Sequence, residues 1–321
     1  MTIPADDPRL APISLRRELI ALGETDRSLA ASLRSGVRAR PRRGAYVEGP
    51  AWRAMSGDQR YAVRCRAAYQ QARAGVILSH ASALPFHDAP LWGLDLSEVH
   101  LTRVDGLSGR REAGVQRHRG EVDDGDVAEV HGVRIMSAIR ATLEVSMWGT
   151  TEPALAVANH FLHRGDFTAA ELRERYEQSM VHWPDSVSTD VVIRLADPRI
   201  ESVGESRTLY FLYRHGFPKP VPQYEVADDG FVAFLDFALP DLGIWIEFDG
   251  RAKYERYLRP GESAADAVVR EKYREQRIAQ LTGWRCFRIA WEDLADPERL
   301  ARRLRAFIEA VRAERRRRLA S

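Results

Sequence analysis

Hydrophobic and polar positions form their most informative pattern over residues 231–253, FVAFLDFALPDLGIWIEFDGRAK. Two apolar runs flank Pro240-Asp241-Leu242-Gly243, a combination that predicts two strands joined by a tight turn. A loop of two residues (Asp241, Leu242) or of four (240–243) gives the same antiparallel register. In either case Asp236 faces Glu247, with Cβ atoms about 4.5–5.5 Å apart. Asp249 lies two residues beyond Glu247 and emerges on the same face. Carboxylates this close on so apolar a hairpin need a cation, a shared proton or an Arg/Lys partner. A divalent metal is the choice that makes chemistry, because hard oxygen ligands suit Mg²⁺. The plainer alternative places these acids in solvent at a sheet edge.

The N-terminal pattern is of a different kind. SLRRELIALG (14–23) predicts a short helix with a Ser cap and a Gly stop, and DRSLAASLRSG (26–36) a second, capped by Asp26. VRARPRRGAYVEG (37–49) alternates like a strand, with Arg38, Arg40 and Arg42 on one face. Two short helices followed by a basic β-ribbon is the order of a winged helix-turn-helix. On that reading Ser28, Ser32 and Arg34 contact DNA from the second helix, and Arg38, Arg40, Arg42 and Arg43 lie along phosphates from the wing. A small helical cap with a solvated arginine edge fits the pattern equally well.

Further along, 57–75 predicts a helix, and 76–93 a strand end, a turn and a short helix. His80 and His87 there read as packing or capping histidines, having no acidic or cysteine neighbour at metal-ligand spacing. Strands are expected at 98–104, 114–120 and 130–137, and helices at about 138–147, 151–164 and 168–180, the last behind a Thr168–Glu171 capping box. His160 and His163, three apart, read as an exposed pair. The pattern changes after 198. A helix over 200–218 carries an inward stripe of Leu209, Leu212 and Tyr213, with Glu201 and Glu205 on one face. Strands near 222–227, 231–238 and 244–249 follow, then a helix at 264–281, a strand at 284–291 and a closing helix. That order predicts an α/β sandwich on a mixed sheet.

At 321 residues the chain is long enough for two or three domains, and 45% hydrophobic with 29% charged residues is ordinary globular composition. No run reaches the ~18 apolar residues of a membrane-spanning helix, and the N-terminus lacks a signal-peptide pattern. The expectation is a cytoplasmic protein with no membrane partner. Cys65 and Cys286 suit neither a disulfide framework nor a zinc site. A net charge of +2 conceals arginine clusters at 34–43 and 312–318 and an acidic stretch at 121–129. Such a distribution fits a polyanion partner, and a solvated basic end equally.

Taken together, residues 15–195 resemble the AbiEi antitoxins of type IV toxin–antitoxin systems. The resemblance is carried by LIALGETDRSL, RRGAYVEG, LSHASAL (78–84) and GVRIMSAIRATLEVS (132–146). Where that family ends its last motif Thr-Leu-Val-Asp, this chain has Thr142-Leu143-Glu144-Val145. The resemblance implies a DNA-binding, self-repressing winged helix at 1–50, an α/β middle region at 51–198, and a cognate toxin protein as a possible partner. Residues 200–309 resemble the PD-(D/E)XK nucleases, in the branch of the very-short-patch-repair (Vsr) endonucleases, through GESRTL, FLDFALPDLGIWIEFDG and EKYREQRIAQLTGWRCFRIAWEDL. This implies a restriction-endonuclease-like domain at 199–321. In it Glu205 orients the metal or its water, and Asp236 and Glu247 hold Mg²⁺ (or Mn²⁺). The family's usual lysine is here Asp249, which reads as a further ligand. The missing cation would come from Lys253, Lys272 or Arg274. The expected fold is therefore multidomain α+β. The expected function is a DNA-binding protein with a Mg²⁺-dependent endonuclease domain, or else a non-enzymatic antitoxin-like regulator whose nuclease-like domain is inactive.

Overall fold

The computed structural model describes residues 3–72, 75–180, 186–250 and 263–320. The chain is α+β and divides into two compact units, residues 1–161 with 165–194, and residues 162–164 with 195–321. Residues 1–50 and most of 51–198 fall in the first unit, and 199–321 in the second. Among the described residues no helix is long and apolar enough to cross a membrane.

In the first unit, Ser14–Leu15 forms a short strand (β1) before helix α1 (Arg16–Ala21), where the sequence pattern suggests one helix. The reason is tertiary: Ser14 and Leu15 pair with Tyr46 and Ala45. Helix α2 (Asp26–Arg34) is capped by Thr25 rather than Asp26, the Thr25 hydroxyl accepting from the Ser28 N–H at 3.1 Å. Its Leu29 packs with Leu19, Tyr46 and Leu33. Strands β2 (Arg38–Arg42) and β3 (Ala45–Glu48) turn back on each other through Gly44, whose φ of +80° favours glycine. The sheet order is β1-β3-β2. Its β2–β3 register shifts between Ala39 and Arg42, so the single arginine face expected for Arg38, Arg40 and Arg42 is broken. Pro41, which has no N–H for the ladder, sits inside the irregularity.

Helices α3 (Gly49–Ala54) and α4 (Gly57–Gln71) lead into β4 (Val76–Leu78), β5 (Val99–Arg103), β6 (Arg110–Glu112), β7 (Val115–Arg119), β8 (Val127–Val130) and β9 (Val133–Met136). These six strands form a mixed sheet in the order β6-β7-β5-β4-β9-β8, with β5–β7 and β4–β9 parallel. Helix α5 (Ala138–Trp148) presents Arg140 and Glu144 to the interior. The buried Arg140 guanidinium donates to Glu144 (2.9 Å), to Asp126 (3.0 Å) and to the Glu121 carbonyl (3.1 Å). Arg175 of α7 (Ala169–Ser179) adds a 2.7 Å bond to Asp126, so buried charges of both signs are paired. Helices α6 (Thr151–Arg164) and α8 (Ser186–Leu195) flank α7 in sequence.

The second unit is a four-stranded sheet in the order β10-β11-β12-β13: β10 (Val221–Asp228), β11 (Phe231–Leu239), β12 (Ile244–Asp249) and β13 (Arg285–Ala290). β12 runs parallel to β13 and the other pairs are antiparallel. Five of the six β12 residues are buried, as expected of a central strand covered on both faces. On one face Trp245 packs with Ile278 of α10 (Ala264–Thr282); on the other Phe248 meets α9 (Val203–Arg214). Each such buried side chain contributes about 1.5–3 kcal/mol. The closing helix α11 (Pro297–Ala320) buries Leu300, Ala301, Leu304, Ile308 and Val311. Two details of α9 differ from expectation. The helix starts after Ser202, which caps it, so Glu201 precedes it and does not share a helical face with Glu205. Its inward stripe uses Phe211, while Tyr213 is exposed.

Candidate functional site

The hairpin turn is the four-residue form. Leu239 pairs with Ile244 across Pro240–Gly243, and Gly243 closes the turn at φ +65°. The ladder runs through Phe237↔Ile246, and one step further along that register Asp236 faces Glu247. Both carboxylates are buried and Asp249 is half-buried. An Asp236 carboxylate oxygen accepts the Phe248 N–H at 2.7 Å, which fixes it at the end of the ladder.

Glu205 joins them from α9 for a local reason. The Ser202 hydroxyl accepts the Glu205 N–H (3.1 Å) and donates to Glu205 Oε1 (2.7 Å), while the Glu201 N–H donates to Oε2 (3.0 Å). This reciprocal cap holds the carboxylate rigidly at the helix N-terminus. Burial raises the pKa of Glu205 above its ordinary value, and the nearby charge of Asp236 adds to the rise. The bonds from Glu201 and Ser202 only partly offset it. Close approach of α9 to β12 depends on Gly204, where a Cβ would lie 1.9 Å from the Phe248 ring.

Opposite the acids stand arginines. Arg274 of α10 donates to Glu247 Oε1 from both terminal nitrogens (3.3 Å each), to Glu271 (3.3 Å) and to the Phe234 carbonyl (2.5 Å). Burial alone would weaken its hold on the proton, but the charges of Glu247, Glu271 and Asp236 raise its pKa overall. Arg288 of β13 reaches Glu275 (2.8 Å) and Glu271 (3.3 Å). Glu205, Asp236, Glu247, Asp249, Arg270, Arg274 and Arg288 line one cleft of about 600 Å³, backed by Phe248 and Trp291.

Of the cations the sequence offered, Arg274 is in the cleft. Lys272, two residues away on α10, is exposed and does not line it, because adjacent helical positions two apart point in different directions. Lys253 lies outside the described residues. Arg288 has no sequence signal of its own and enters through the parallel β12–β13 pairing, in which it stands beside Glu247.

The acids are of the kind a hard cation prefers, but as arranged they are not a closed metal cage. Among the described residues, one group of three or more His, Cys, Asp or Glu side chains has ligand atoms within 4.8 Å of one another. It is His80, His100 and His118. Asp236, Glu247 and Asp249, the expected Mg²⁺ ligands, are not grouped so tightly, and Arg274 already balances charge at Glu247.

The expected DNA-contacting residues divide by environment. Arg34, Arg40 and Arg43 are exposed. Arg38 is half-buried and paired with Glu24 at 2.9 Å. Arg42 is half-buried, and its pKa is lowered by burial and by the charge of Arg117. The Ser28 hydroxyl is committed to the α2 cap and to Glu24 (2.5 Å), and that of Ser32 to the Leu29 carbonyl (2.8 Å). In comparisons with known proteins, no family model matches this chain and no curated protein matches it significantly.

Proposed function

We propose that the chain binds DNA and that its second unit is a divalent-metal-dependent phosphodiesterase of the restriction-endonuclease-like class. The observation that carries this reading is the cleft lined by six acids, four of them from α9, β11 and β12, together with three arginines. That composition suits a phosphodiester with its counter-cation: arginine forks recognise phosphate oxygens, and carboxylates recognise Mg²⁺ or Mn²⁺. The donor chemistry fits a hard cation, held by Asp236 and Glu247 with Asp249 beside them, once Arg274 relinquishes Glu247. An ion held by these residues would supply an acidified water and would offset charge in the transition state. The chain's own residues do the rest. Glu205, held by Ser202 and the Glu201 N–H, orients a water or takes a proton, while Arg270 and Arg288 hold phosphate oxygens. Arg274 remains charged at any working pH, so it stabilises anionic charge and does not act as a base.

In the first unit, α1 and α2 followed by the β2–β3 ribbon support a winged-helix reading. Its DNA-facing charges are narrowed to the exposed Arg34, Arg40 and Arg43. The serines of α2 serve its own backbone instead.

A second reading has a specific observation behind it. Arg274 neutralises Glu247, Asp249 stands where a lysine is usual, and no lysine lines the cleft among the described residues. These features favour a non-enzymatic regulator, antitoxin-like, whose cleft binds without cutting and whose partner is a toxin protein. Calorimetry with Mn²⁺ separates the two. The first reading predicts saturable heat in the wild type that Asp236→Ala abolishes and Arg274→Met preserves or strengthens. Absence of heat at millimolar Mn²⁺ in all three proteins supports the second.

A further inference from the structure

The first unit contains a cluster of different chemistry. The LSHASAL segment docks on β5 through the backbone of His100. The Ser79 N–H donates to the His100 carbonyl (3.2 Å), and the His100 N–H donates to the Ser82 hydroxyl (2.8 Å). This frame sets His80 beside His100. The parallel β5–β7 register, with Thr102 opposite His118, then brings the third imidazole alongside. Ring centroids are 3.8 Å apart for His80–His118, 5.3 Å for His80–His100 and 5.2 Å for His100–His118. His80 and His100 are buried and His118 half-buried. Trp148 meets all three rings edge-on and is itself 58% exposed, so the cluster lies just beneath the surface.

We propose that His80, His100 and His118 bind a late first-row divalent metal ion, with Zn²⁺ the best match, leaving one coordination position for water or a small ligand. Five observations converge. Three imidazoles from three separate segments have nitrogens within 4.8 Å of one another. His100 Nδ1 and His118 Nε2 share a hydrogen bond at 2.9 Å, whose proton the ion would replace. Ligands on a tetrahedral Zn²⁺, with Zn–N near 2.0–2.1 Å, stand roughly 3.3 Å apart, so that pair needs only a small adjustment. His80 occupies the left-handed region at φ +52°, a costly conformation for a non-glycine residue and one found where a side chain must be aimed. Its backbone N–H is held by the buried Glu144 carboxylate at 2.9 Å, with His80 Nδ1 3.4 Å from the same group. A carboxylate behind a histidine ligand is the usual means of orienting it. Finally, Thr102 lies on the same strand face as His100, and its buried hydroxyl has no hydrogen-bond partner among the described residues. Water on a bound ion would satisfy such a group. Imidazole nitrogens select Zn²⁺, Cu²⁺ or Ni²⁺ over Mg²⁺, so this site and the acidic cleft take different ions.

The test uses the full chain, stripped with chelator and titrated with ZnCl₂ by calorimetry and with CoCl₂ by visible absorption. Wild type should bind one Zn²⁺ tightly and give the intense d–d band of tetrahedral Co²⁺. Asp236→Ala, which disables the acidic cleft, should leave both signals intact. His118→Ala and the better space-filling His118→Gln should weaken Zn²⁺ binding at least tenfold and abolish the band, while circular dichroism shows a folded protein. Wild type without Zn²⁺ heat or the Co²⁺ band overturns the proposal. So does binding by a folded His118 variant as tight as that of wild type, or binding lost in Asp236→Ala.

Discussion

Replacing Gly204 by alanine tests how α9 positions Glu205. An alanine Cβ would sit 1.9, 2.3 and 2.4 Å from three atoms of the Phe248 ring, about 1.5 Å short of ordinary van der Waals contact. The ring cannot simply swing aside, because Phe248 is 4% exposed and stands edge-on to Trp291 at 5.5 Å. Helix propensity favours alanine over glycine by about 1 kcal/mol. Overpacking of a tight core costs about 1–3 kcal/mol, and a displacement this large roughly 2–4, so the clash wins. A net loss of about 1–3 kcal/mol corresponds to a fall of roughly 3–12 °C in the melting temperature of a unit this size. Differential scanning calorimetry on Gly204→Ala, Phe248→Leu and the double variant measures it. Removing the ring should relieve part of the Gly204→Ala penalty, so the two substitutions should be less than additive by at least 0.5 kcal/mol. Full additivity, or a Gly204→Ala protein as stable as wild type, would refute the close-approach account.

Three further outcomes are expected. Arg140→Met leaves Glu144 and Asp126 without their central partner and should cost about 3–5 kcal/mol in urea unfolding of the first unit. Burial raises the pKa of Glu205 above 4.5, so the folded state holds that proton more tightly than the unfolded chain. This contribution to stability is present below pH 4.5 and is lost as pH rises through the folded value. Glu205→Gln should remove that slope from a series of denaturant melts across the acidic range. Neutralising Arg34, Arg40 and Arg43 together should weaken DNA binding uniformly across sequences and reduce the magnitude of the slope of log K against log[salt] by about 2–3. An unchanged slope places the DNA contacts elsewhere.

The hairpin was legible in the sequence because every determinant is local. Pro240 and Gly243 set the turn, and a period of two carries Asp236, Glu247 and Asp249 to one face. The coarse α+β order of the second unit was legible for the same reason, since each element announces itself by its own periodicity. What escaped were contacts made between elements. Nothing near Arg288 indicates that parallel pairing of β13 with β12 sets it beside Glu247. His80 lacked a partner at ligand spacing because its partners arrive from β5 and β7. Local competition explains smaller differences: Thr25 and Asp26 are both competent caps, and tertiary pairing with β3 draws Ser14 and Leu15 out of the first helix.

Cleavage of supercoiled plasmid in Mg²⁺ or Mn²⁺ tests the central claim most directly. The acidic cleft predicts nicked and linear products that require the divalent ion and disappear in Asp236→Ala and Glu247→Ala. Intact plasmid with wild-type protein, or equal nicking by the two variants, contradicts it.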